Sequence, residues 1–188
     1  NPVKDANGYY LDHSEIIQME EGGRDVTQKD QFYQQIQLVV EPLKDWLIHA
    51  EGNMKIVNNQ NQWEVLPVYY HDGEGSPVAM AWFDGYTPGM SRVNQSYWKD
   101  NNYSLNLYTD YFKQIGDHYF KVMGGFNAEL YKRTNLSGQR DELITPDVPT
   151  LNTGTTEQKA NGGYSHWANA GFFGRINYNY KERYLLEI

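Results

Sequence analysis

The chain contains no cysteine. That excludes a disulfide framework and a cysteine-based zinc site, and it leaves the redox compartment open. No apolar run approaches the ~18–20 residues of a transmembrane helix, an absence that does not bear on a β-barrel, whose signal per strand is much weaker. No block of Lys or Arg is present either. The formal charge is −8 and the pI near 5.1, so the basic patch needed by a nucleic-acid surface is missing. The sequence opens on Asn1 with no charged-then-apolar leader, so no signal peptide is visible. Its last residue, Ile188, falls partway through a strand-like stretch, and the whole reads as a piece of a longer polypeptide.

Catalytic signatures are equally scarce. The five histidines (His13, His49, His71, His118, His166) lie far apart, with no His-Glu-x-x-His spacing. Gly-x-Ser-x-Gly is absent, so the nucleophile-elbow hydrolase pattern has no support. Asp72-Gly73-Glu74-Gly75 lacks the rest of an EF-hand ligand ladder and reads as a loop turn. Carboxylate pairs for glycoside hydrolysis can be drawn from Asp72, Glu74, Asp84 or Glu157, but spacing selects none of them. The expectation is a non-enzymatic chain without metal or cofactor.

What is abundant is aromatic side chain: 16 Tyr, 7 Phe and 5 Trp among 188 residues, in a sequence of mean hydropathy −0.76. Disordered segments are poor in aromatics, so a folded chain is expected. The pattern behind it is period two, the signature of β-strands. From Gly171 to Tyr180, Phe172, Gly174, Ile176, Tyr178 and Tyr180 fall on one face, and Arg175, Asn177 and Asn179 on the other. A polar turn at Lys181-Glu182 leads into a second short strand. The same alternation recurs over residues 31–41, 45–57, 103–112 and 118–132.

Three strand pairs result, at about 31–57, 103–132 and 170–188. Each pair is closed by a short turn, and the connections between pairs are long: a loop over 1–30, then loops over 58–102 and 134–168. With alternating strand direction, all the short turns lie at one end of the sheet and all the long loops at the other. Loops beyond ~12–15 residues are uncommon in compact soluble domains. Short turns at one end and long loops at the other are the asymmetry of outer-membrane barrels, and strands of about 10 residues suit a tilted crossing of ~9–11. The expected fold is therefore all-β, an antiparallel transmembrane β-barrel segment of about six strands, with short periplasmic turns and long extracellular loops. The alternatives are a soluble β-rich carbohydrate-binding module and, third, a loop-borne glycosidase.

Several stretches resemble the barrel of SusC/RagA-type TonB-dependent outer-membrane transporters. They are Phe173 to Glu187, the Gly22-Gly23-Arg24 lead-in, Asp117-His118-Tyr119-Phe120 running to Gly124-Gly125-Phe126, and the Leu-Ile-Thr-Pro-Asp-Val-Pro loop. The resemblance implies that residues 1–188 form part of a TonB-dependent receptor β-barrel domain in the cell outer membrane. It further implies several partners: the remainder of its own barrel and plug, a SusD-like lipoprotein lid, and the TonB complex through a part not contained here. The solute would be a glycan or a peptide.

Parity then sorts the candidate residues. Lumen-facing expectations are His49, Glu51, Lys55, Lys121, Glu129 and Arg175. Most of these need be no more than the polar side chains that any wet interior requires. Membrane-facing expectations are Trp46, Ile48, Phe120, Val122, Phe126, Ile176 and Tyr178. Trp46, Tyr178, Tyr180 and Tyr184 lie close to the short turns and fit an interfacial aromatic girdle. The loop tryptophans Trp63, Trp82, Trp98 and Trp167 are the expected substrate contacts, because indole offers a flat apolar face with a polar tip.

Overall fold

A computed structural model describes residues 4–11, 15–71, 76–80 and 88–188. Trp82, and with it Asp72, Glu74 and Asp84, lies outside the described residues. The described residues are all-β apart from one short α-helix and a single turn of 3-10 helix at Leu151–Thr153. Six strands form a single antiparallel sheet: β1 (Asp25–Leu43), β2 (Trp46–Val65), β5 (Arg92–Ile115), β6 (His118–Leu143), β7 (Gly154–Tyr180) and β8 (Tyr184–Glu187), in the spatial order β1-β2-β5-β6-β7-β8. A small hairpin, β3 (Tyr69–His71) with β4 (Pro77–Ala79), stands apart from it. The helix α1 covers Glu15–Glu21. No described helix is long and apolar enough to cross a membrane.

The sheet is open. Among the described residues β1 and β8 are its terminal members, and nothing pairs them to each other. Every residue of β1 is exposed, whereas β2, β5 and β6, with a neighbour on each side, are mostly half-buried. Pro42, which has no amide hydrogen to donate, sits in β1, where one backbone edge has no neighbour to bond.

The strands run further than their sequence pattern indicates. β2 extends to Val65 and β5 begins at Arg92, which shortens the expected 58–102 loop from both ends. β6 continues to Leu143 and β7 starts at Gly154, so most of the expected 134–168 loop is strand. The expected 1–30 loop holds α1 and the start of β1. In these extensions both faces are polar, so no alternation of apolar with polar residues marks them as strand.

The chain divides into two compact units. Unit 1 comprises Asn1–Lys29, Asn59–Trp98 and Asn135–Gly163; unit 2 comprises Asp30–Asn58, Lys99–Thr134 and Tyr164–Ile188. Unit 1 has an ordinary small core in which Tyr10, Ile17, Val68 and Met80 pack together, with Tyr70 against them. The Tyr10 hydroxyl donates to the Glu20 carboxylate, and the Lys4 ammonium lies 4.0 Å above the Tyr10 ring. Donation to Glu20 raises the phenol above its usual range, and the contact with Tyr10 raises Lys4 in turn.

Unit 2 is built the other way. Of the hydrophobic residues that are buried, only Val57 belongs to it. Most of its large apolar side chains share one face and are exposed: Ile36, Leu38, Ile48, Leu105, Leu107, Phe120, Val122 and Ile176, with Phe172 at 87%; Val39 and Phe173 fall by alternation on the other face. Contacts across strands fix the sharing. Phe126 meets Phe172 and Phe120 meets Tyr178 (centroids 5.2 and 4.9 Å), while Trp46 Nε1 donates to Thr109 Oγ1 at 2.6 Å.

Candidate functional site

The opposite face of unit 2 is polar and bonded across the strands in rows. In one row Tyr33 of β1 donates to Asn53 of β2, and Asn53 donates to Ser104 of β5 (3.1 and 3.2 Å). In the next, Gln37 donates to Glu51 at 3.2 Å; Glu51 also accepts from Tyr108 at 3.2 Å and Asn106 at 3.5 Å, and Asn106 accepts from Asn127 of β6. A third row joins His49, Asp110 and Lys121. His49 Nε2 lies 3.4 Å from one Asp110 oxygen, Lys121 Nζ lies 3.2 Å from the other, and the His49 ring stacks on Tyr108 at 4.3 Å. The Asp110 side chain is only 9% exposed, so its charge depends on the Lys121 ammonium, with the His49 ring at its other oxygen.

A fourth cluster stands on the same face. Arg133 grips Asp100 with two parallel bonds (2.6 and 2.7 Å), and the Tyr131 hydroxyl donates to Asp100 at 2.9 Å. The planar fork of Arg matches a carboxylate, which makes this the best-defined ion pair of the face. Trp167 stacks on Tyr131 with centroids 5.8 Å apart and stays 44% exposed.

Each sequence-derived candidate can now be placed. His49, Glu51 and Lys121 are joined in these rows; Lys55 and Glu129 lie on the same face by strand parity, and Arg175 pairs with Glu187 of β8 at 3.7 Å. Trp46, Ile48, Phe120, Val122, Phe126, Ile176 and Tyr178 lie on the apolar face. The described tryptophans depart from expectation, because none is in a loop: Trp63 is in β2, Trp98 in β5 and Trp167 in β7. By alternation Trp167 falls on the polar face of unit 2, while Trp63 and Trp98 belong to unit 1. Asp100, Asp110, Tyr131 and Arg133 were not among the sequence candidates. They become recognisable only when the register of β5 against β6 is known, since no local motif marks them.

Unit 1 holds a groove of about 1220 Å³. Gln62 is central to it, accepting from Gln95 at 2.6 Å and donating to the Pro149 carbonyl at 3.1 Å and to Glu64 at 3.2 Å. Among the described residues no group of His, Asp and Glu is arranged to hold a metal ion.

No protein-family model matches the sequence, and no curated protein matches it. Solved structures do match at the level of fold. The structure of the RagAB peptide transporter superposes with a TM-score of 0.76 at 13% identity, over 90% of this chain and 18% of its own. The RagAB peptide importer in its "closed-closed" state gives 0.76 at 14% identity, over 90% and 18%; its "open-open" state gives 0.74 at 14%, over 87% and 17%. The chain thus spans less than a fifth of the length of these transporter chains, and the likeness is one of fold.

Proposed function

We propose that the chain is a wall segment of an outer-membrane importer barrel, with the apolar face of unit 2 against lipid and the polar face toward a wet lumen. The observation that carries this reading is the inverted build of unit 2. Most of its large apolar side chains are exposed on one face, and most of the polar side chains on the other are bonded to one another. A soluble sandwich must cover its apolar face with a second layer, and unit 2 buries one hydrophobic residue. A barrel wall leaves that face to lipid. From Phe120 to Leu130, about 11 positions at ~3.3 Å rise and ~45° tilt span roughly 25 Å, the height of a barrel's apolar band. On this reading a SusD-like lipoprotein would close the outer mouth, the TonB complex would supply energy, and the solute would be a glycan or an oligopeptide. The segment itself contributes contacts and no chemistry. The likeness to transporter barrels and the resemblance of the terminal hairpin to SusC/RagA-type proteins support the same assignment.

Paired substitutions in the full-length protein test the faces. Val122→Arg should cost about 2–4 kcal/mol of folding free energy if the residue sits near the midplane of a bilayer. Lys55→Gln, exposed on the polar face, should change stability by less than about 0.5 kcal/mol. Refolding into lipid vesicles under urea reads both. Equal losses would refute the assignment of faces, and folding without lipid or detergent would refute the membrane.

A further inference from the structure

We infer that Glu129, with the stacked pair Tyr131 and Trp167, forms a subsite for a cationic group, an alkylammonium or guanidinium, carried by the solute. The inference rests on the import reading above and adds a charge preference to it. It follows from which charges on the polar face are already spent. Glu51 accepts from Gln37 and Tyr108, Asp110 lies between His49 and Lys121, Asp100 is held by Arg133, and Glu187 is paired with Arg175. Glu41 accepts from the Asp45 amide. Glu129 is the carboxylate of this face for which the described residues provide no partner, and it is half-buried rather than lost in solvent.

Its surroundings give that charge a use. Tyr131 is two residues along β6, on the same side of the strand and ~6.6–7 Å away along the backbone. Its hydroxyl is anchored on Asp100, which fixes the ring; the Arg133 guanidinium lies 5.9 Å from the ring centroid, and Trp167 stacks on the ring with an exposed indole, whose open face is left for a cation. An aromatic face is negative, so a cation resting on the exposed indole gains from the ring and from a nearby carboxylate together. Arg133 cancels Asp100, so this pair adds no net charge and Glu129 sets the sign of the patch. Lys55, also without a partner among the described residues, is on β2, two strands or ~10 Å away, too far to neutralise it. An anionic group is repelled here, and a neutral one gains only the stacking.

The test uses the full-length protein in detergent and two matched pairs of probes: trilysine against trialanine, and the glucosamine trimer against its N-acetylated form. In calorimetric titrations the cationic member of whichever pair binds should be favoured roughly three- to tenfold, less at high salt. Glu129→Gln, which is isosteric, should abolish the preference and leave the neutral probe's affinity unchanged. Trp167→Ala should weaken both members. A preference that survives Glu129→Gln, or none in a pair that does bind, overturns the subsite and leaves the import reading intact. Failure of both pairs to bind also overturns the subsite, and the import reading then stands or falls on the lipid-refolding experiment.

Discussion

At Gly125 a side chain has no room. A Cβ there would overlap the Phe173 ring and lie 2.7 Å from Tyr108 Cβ and 2.9 Å from the Leu107 carbonyl oxygen. Phe173 of β7 is laid across the glycine of β6, an arrangement that protects a bare stretch of backbone with a ring. Gly125→Ala should therefore cost about 1–3 kcal/mol, read by urea unfolding of the full-length protein. Lys121 is another residue whose value depends on its partners. Parity presents it as one more wet side chain, but its removal would leave the buried Asp110 with His49 alone, a loss of about 1–3 kcal/mol. Tyr10 gives a dependence on pH. Because Glu20 raises its hydroxyl above the usual range, its contribution is complete below the ordinary phenol value, ~10. It is lost as pH rises through the raised value, when phenolate meets carboxylate. Hydrogen exchange over α1 should be slower in wild type than in Tyr10→Phe at pH 8, and the difference should vanish as pH rises through the raised value.

At the scale of the element, the short turns carry the strain. Lys181 and Glu182 both have positive φ, 52° and 55°, and the Arg183 amide donates to the Tyr180 carbonyl at 3.1 Å. The hairpin pairs Tyr180 with Tyr184, so three residues form its loop, and the two left-handed positions that open it favour Asn and Gly. A non-glycine residue in that region costs roughly 1–2 kcal/mol, so the double change Lys181→Asn, Glu182→Gly should raise stability by about 1–2 kcal/mol, measured by the same unfolding assay. The facing turn between β5 and β6 already uses Gly116 at φ 56°. These turns were legible in the sequence, as were the strands between them, because alternation of apolar and polar residues survives wherever one face is apolar. It fails where both faces are mostly polar. Asn58-Asn59-Gln60-Asn61-Gln62 and the Gly/Thr/Asn stretch after Gly154 look like loops for that reason, and Trp63, Trp98 and Trp167 were placed in loops with them. The polar face was legible residue by residue, but not its pairing. Asp100 meets Arg133 across 33 positions of sequence, and only the register of two strands brings them together.

For the whole molecule, the importer reading proposed above is tested by asking which end of the sheet faces outward. Cysteine labelling answers it without background from this chain, which has no native cysteine. On intact cells Gln158→Cys, at the far end of β7 from the short turns, should react with an impermeant thiol reagent. Glu182→Cys should react only after the outer membrane is opened. Identical labelling of both from outside would end the membrane assignment. The cross-strand rows of the polar face also bear on descent. Tyr33, Asn53 and Ser104 hold one another; so do Gln37, Glu51, Asn106 and Asn127, and so do His49, Asp110 and Lys121. A lone replacement within a row strands its neighbours, whereas Val122 or Ile176 on the other face can be exchanged for any apolar residue of similar size. In diverged relatives the apolar face should therefore drift one site at a time, and the polar face should change in matched sets that run across the strands.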